Sequence, residues 1–236
     1  MRTVWRGRRR TQRSLWAQAM RGDTVVSTNP TPPTRRHPPR ALTYMLAAGG
    51  CGGVVALFTL TGPIPQDPTY HDFADTRTLW GIPNALDVLS NLPFAFVGAL
   101  GLRVLRRRWL DGDLVFRVAW LVFFLGLCGV ALGSSYYHWS PDNDRLLWDR
   151  LPMTIGFTAL VCVVVAERIG LQVGRRLFPA LLFVGVATVL YWRWSETAGA
   201  GDLRPYGLVQ LLPILAIPLI LWVTRRRFDL DGHYLV

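Results

Sequence analysis

The chain is 236 residues long and 51% hydrophobic, with 10 Trp, and its 26 basic against 15 acidic residues give a net charge of +11. Apolar content delivered in blocks of about 20 residues excludes an ordinary soluble domain and fits segments that cross a bilayer. A basic excess would suit nucleic acid, but the distribution of the charge excludes that partner.

No lysine occurs, so every basic residue is Arg. Six spans are predicted: Ala41–Gly62, Ala85–Leu105, Leu114–Tyr137, Leu151–Ala166, Leu177–Trp194 and Tyr206–Thr224. With the N-terminus in the cytoplasm, 21 Arg fall on the inner side, and only Arg77, Arg145, Arg150, Arg193 and Arg204 fall outside. That asymmetry predicts an N-in topology. The surplus Arg suits anionic lipid headgroups. The fold class expected is all-α, a polytopic helical membrane bundle.

Residues 1–40, rich in Arg, Pro and Thr, read as a disordered basic cytoplasmic tail ahead of a transmembrane helical domain, 41–236. Arg8-Arg9-Arg10 is a weak match to a twin-arginine signal, and Met20 and Met45 are alternative starts. An outer loop, Pro63 to Pro83, carries Asp67, His71, Asp72, Asp75 and Trp80. The second span then opens with Asn84, Asp87 and Asn91, spaced to share one helix face. Two roles suit this stripe. Asn84 could cap the helix while its neighbours bond between helices, or the stripe could join Asp75 in an oxygen-rich calcium site.

The third span climbs to Ser134, Ser135, Tyr136, Tyr137 and His138, and the fourth descends from Asp149-Arg150-Leu151-Pro152-Met153. Ser134 and His138 are four apart, so a helix presents both on one face. A hydroxyl, an imidazole and a carboxylate thus reach one end of two adjacent helices. Polar groups at membrane depth are costly and face a cavity or one another. The alternative to a functional site is a bond between helices, such as a His138–Asp149 pair, with Asp149 as a helix cap. The fifth span ends in an aromatic belt at Tyr191, Trp192 and Trp194. Asp202 and Arg204 read as a local ion pair organising a turn, and Gln210 lies one turn below Tyr206. Cys51, Cys128 and Cys162 sit in spans without C-x-x-C spacing and read as small buried residues.

Ser-x-x-x-His (Ser134, His138), the D-x-L-P-M block (Asp149, Leu151, Pro152, Met153) and a V-x-S-N-type helix start (Val88, Ser90, Asn91) together resemble the alkaline ceramidases, in their bacterial branch. That family belongs to a superfamily with the adiponectin- and progestin-type seven-span receptors. The resemblance runs from about Asp75 to the end of the chain. It implies a seven-span core, of which five spans are counted here after one N-terminal extra. It also implies an integral membrane hydrolase of the bacterial cytoplasmic membrane that cleaves a ceramide-like lipid amide with a zinc-activated water. His138 would be a zinc ligand, Ser134 a residue assisting at the metal, and Asp149 the carboxylate that orients the water or moves its proton. The family's calcium site would fall near Asp75 and Asp87, with Asn84 where the eukaryotic enzymes have Glu. The family's H-x-x-x-H, which supplies two more zinc ligands, has no counterpart in this sequence, so the chain is expected to be truncated at its C-terminus. A non-enzymatic receptor or lipid sensor of the same fold is the alternative.

Overall fold

A backbone inside lipid finds no water to bond and must satisfy its own N–H and C=O groups, which long apolar blocks achieve as helices. The computed structural model describes residues 40–107 and 113–224, with backbone alone at residues 40–48 and 51. The helices in chain order are α1 (Arg40–Leu60), α2 (Ala85–Leu89), α3 (Leu92–Arg107), α4 (Leu114–Trp139), α5 (Asn143–Arg168), α6 (Leu171–Thr197) and α7 (Arg204–Val223). One turn of 3-10 helix, Pro68–His71, interrupts the loop between α1 and α2. Among the described residues, five segments are long and apolar enough to cross a membrane: Ala85–Arg107, which joins α2 to α3, and α4, α5, α6 and α7. The chain is a polytopic helical membrane bundle. The first predicted span is helical as α1, over 21 residues. The predicted tail, apart from Arg40, lies outside the described residues, as does the side chain of Cys51. Cys128 and Cys162 are free thiols.

The fourth span differs from its prediction. It starts at Asn143 rather than Leu151, because Asp142 caps it: the Asp142 carboxylate accepts from the Arg145 N–H at 2.7 Å. Asp149 is therefore an interior residue of α5 and not its cap. Helix α6 extends beyond the predicted Leu177–Trp194 at both ends, from Leu171 to Thr197.

Helix α5 is the middle of the bundle, packing on α4, α6 and α7. Of its most apolar window 56% is buried, against 11–22% for the other four spans. Small residues let α4 approach it closely, as they do between helices in membranes. A Cβ on Gly126 would stand 3.0 Å from the Gly156 Cα, and one on Gly129 2.8 Å from the Pro152 Cβ. A Cβ on Gly133 would run into the Trp148 carbonyl oxygen. That carbonyl is the one that Pro152, lacking an N–H, leaves without its helical partner. The three glycines recur at i, i+3 and i+7, so one face of α4 lies along α5 in antiparallel register.

Proline also shapes the first core span. Pro93 denies Leu89 a partner, and the helix breaks at Ser90 and Asn91. Side chains take up the carbonyls freed around the break. Ser90 Oγ donates to the Asp87 carbonyl at 2.7 Å, Asn91 Nδ2 to the same oxygen at 3.1 Å, and Ser135 Oγ of α4 to the Val88 carbonyl at 3.2 Å.

Candidate active site at the Ser134 end of the bundle

Consecutive antiparallel helices bring the last turns of α4 and α6 together with the first turns of α2, α5 and α7. Tyr137, Leu146 and Trp192 form an apolar core there, with Phe73, Leu147, Leu203 and Tyr206 packed on it. Ser134, Asp149, Arg150, Ser195 and Asp202 are buried around it.

The contact at Gly133 decides the centre. With backbones nearly touching, the next residue on each helix, Ser134 and Asp149, must face each other. Both are buried, and the Ser134 hydroxyl is the hydrogen-bonding neighbour of the Asp149 carboxyl. His138, one turn further along α4, lies near enough to act on that carboxyl through charge. Its Nδ1 is buried without a hydrogen-bond partner, and its ring packs on Phe73 at 4.6 Å and Tyr137 at 5.1 Å between centroids. Asp149 thus takes its bond from Ser134, and His138 Nδ1 is left over. The three residues the sequence singles out are assembled in one place.

The second predicted cluster is dispersed into separate tasks. Asp75 Oδ2 accepts from the Leu86 N–H at 2.8 Å and Oδ1 from Arg77 Nε at 2.6 Å. The Arg77 guanidinium, with those N–H groups, holds the Asp75 carboxyl below its usual range despite burial. Asn84, predicted to cap the helix, makes no side-chain cap bond, because its left-handed backbone (φ 46°) turns the side chain away. Asp75 caps in its stead. Asn84 Nδ2 instead donates to the His138 carbonyl at 2.8 Å, tying the start of α2 to the end of α4. Asp87 lends its backbone carbonyl, and Asn91 its amide, to the helix break. Among the described residues, no three of His, Cys, Asp or Glu gather closely enough to hold a metal ion.

The Pro63–Pro83 loop closes over this end. His71 Nε2 lies 3.1 Å from Asn143 Oδ1, an atom that only accepts, so Nε2 donates there, and Nδ1 lies 2.9 Å from the Tyr137 hydroxyl. The Gln66 N–H donates to Glu196 at 2.6 Å, and the Ile64 carbonyl accepts from the Leu203 N–H at 2.8 Å. The predicted Asp202–Arg204 pair is present, with Nε and Nη2 on the two carboxylate oxygens at 2.8 and 2.7 Å. Arg204 holds the Asp202 carboxyl below its usual range. The pair also ties α7 back to α1, since Arg204 Nη1 donates to the Thr61 carbonyl. Gln210 Nε2 donates to the Tyr206 hydroxyl at 2.7 Å.

The sequence reading counts Arg150 only as one of five outer arginines. In the structure it is 5% exposed. Its guanidinium carbon stands 4.1 Å from the Trp192 ring centroid, 4.7 Å from that of Tyr206 and 5.6 Å from that of Tyr70. It becomes an interior residue only because α5 starts at Asn143 rather than at Leu151, so the sequence carried no signal for it. A cleft of about 440 Å³ lined by Asp113, Gly170 and Arg175 opens at the opposite end of α4 and α5 and shares no residue with the Ser134 cluster.

Comparison with protein-family models, with curated proteins and with solved structures yields no match.

Proposed function

We propose that the chain is a ceramidase-like integral membrane hydrolase that cleaves a lipid amide with water at Ser134, His138 and Asp149. The observation that carries this reading is the meeting of a hydroxyl, a carboxyl and an imidazole with a spare nitrogen at one end of a membrane helix pair. Polar groups at that depth are costly unless they serve one another or a ligand. The Arg asymmetry supports an N-terminus in the cytoplasm and this end facing out, in a bacterial cytoplasmic membrane.

Asp149 would accept the proton of an attacking water and return it to the leaving amine, the task of a general base and then acid. The Ser134 hydroxyl, released from Asp149, can donate to the oxygen that gains charge as the amide carbon becomes tetrahedral. His138 Nδ1 fits as one ligand of the zinc ion that the family resemblance implies, and further ligands would have to join it. Zinc, when bound, supplies an acidified water and a polarised carbonyl. Phe73 and Tyr137 fix the imidazole ring, and the Asn84 bond fixes the backbone beneath it. Apolar helix faces on either side suit the acyl chains of a ceramide-like lipid.

The test is fatty-acid release from labelled long-chain ceramides by zinc-supplemented protein in mixed micelles. Activity is expected, and both Asp149→Asn and His138→Ala should lose roughly 100-fold or more of it. Saturable ceramide binding without release, unchanged by either substitution, would replace the hydrolase with a lipid sensor of the same architecture.

A further inference from the structure

We propose that Arg150 is the floor of a binding site for the oxyanion of an acyl lipid, a carboxylate or a phosphate, roofed by Gln66 and Tyr70. The site rests on geometry separate from Ser134 and Asp149 and stands whether or not those residues turn over lipid.

Four other arginines at this end each have a carboxylate: Arg77 with Asp75, Arg145 with Asp142, Arg193 with Asp144 and Arg204 with Asp202. Arg150 is the exception. It lies seven residues into α5, roughly 10 Å below the start of the helix, and among the described residues no carboxylate stands within ion-pair distance of it. Asp149, the preceding residue, acts on it through charge but makes no ion-pair contact, and a buried charge matched only at a distance is expensive. The rings of Trp192, Tyr206 and Tyr70 offset part of that cost through their faces. Rings cannot satisfy the N–H groups that radiate in the guanidinium plane, where a flat pair of oxygens fits best.

Of the two terminal nitrogens, Nη2 donates to Gln66 Oε1 at 2.7 Å, while Nη1 is buried and has no partner. Gln66 therefore stands where one oxygen of an anion would sit, as a neutral substitute that leaves Nη1 without an acceptor. Its backbone N–H is held by Glu196 and its Nε2 donates to the Asp67 carbonyl at 3.3 Å, so the side chain would have to rotate off Nη2 for an anion to take its place. Tyr70, the other cover, is half exposed. Because the site lies within a membrane bundle, the oxyanions that reach it are those of acyl lipids, either a fatty-acid carboxylate or a headgroup phosphate.

The experiment is thermal unfolding of the purified full chain in a neutral detergent, titrated with oleate, dioleoyl phosphatidate, inorganic phosphate or oleyl alcohol. Oleate or phosphatidate is expected to raise Tm in a saturable way, and which of them does so names the source. Oleyl alcohol and inorganic phosphate should not raise it. Gln66→Glu, which places a carboxylate on Nη2, should leave the ligand-free Tm equal or higher and weaken the effective lipid at least about tenfold. Arg150→Gln should weaken it likewise, and if that variant fails to fold, Gln66→Glu decides alone. No shift with either lipid, or a shift undiminished by Gln66→Glu, would overturn the site. A shift with inorganic phosphate as large as with the lipids would overturn its assignment to an acyl lipid.

Discussion

Asp149 and Arg150 are consecutive residues of α5 with opposite charges, and the fold gives them unlike surroundings. Asp149 meets α4 through a contact of bare backbones, with one hydroxyl and one imidazole facing it and the Arg150 charge behind it. Arg150 meets α6, α7 and the Pro63–Pro83 loop through aromatic rings and a single amide. A helix turns about 100° per residue, so neighbours in sequence face different partners. The acid sits where a proton could be moved. The base sits where a charge could be recognised but not reached by water.

The substitution that should disturb this arrangement most is Gly133→Ala, because the added methyl enters the space of the Trp148 carbonyl on the turn that carries both residues. A loss of about 1–3 kcal/mol in detergent unfolding is expected. Gly207→Ala, whose Cβ would meet nothing within 4 Å, should be neutral in the same assay. A more selective break is Trp192→Leu. Compared with Trp192→Phe, which keeps a ring, it should cost about 1 kcal/mol more through the guanidinium. That difference should vanish in an Arg150→Gln background, a coupling read by a double-mutant cycle. If the difference persists, the rings do not serve the charge.

The smallest effect is expected at the loop. Asp75 titrates in the folded chain below its ordinary 3.8. Its contribution to stability is therefore present above that value and lost as pH falls through the folded one. Unfolding of the wild type should gain an acid-labile component below about pH 4 that Asp75→Asn lacks. Equal acid sensitivity of the two would show that Asp75 is not a working cap.

Five of the six predicted spans, though not the start of the fourth, and the Ser134–His138 face were legible because each depends on spacing within one helix. The glycine face of α4 was legible in the same way, at i, i+3 and i+7, but went unread because its partner, a carbonyl exposed by Pro152, belongs to another helix. Asn84 misled because capping depends on the backbone conformation of the cap itself, and a left-handed residue points its side chain elsewhere. Asp149 looked like a cap because the apolar run begins after it, while the helix begins at Asp142, where a carboxylate meets free N–H groups. Arg150 was invisible for a different reason. Its cage is built from Gln66, Tyr70, Trp192 and Tyr206, and nothing local to Arg150 announces them.

Only Ser140, Pro141 and Asp142 join α4 to α5, and that short connection orders the two regions in time. Closing so small a loop costs little chain entropy, so the helix pair can form as soon as both halves have entered the membrane. Ser134 and Asp149 would then meet early, by zipping of a single hairpin. Gln66 and Arg150 are 84 residues apart, so their contact closes a far longer loop, at a larger entropic cost. The aromatic cage thus joins the most distant parts of the chain at this end, and a lipid held in it would act as a latch on the finished assembly.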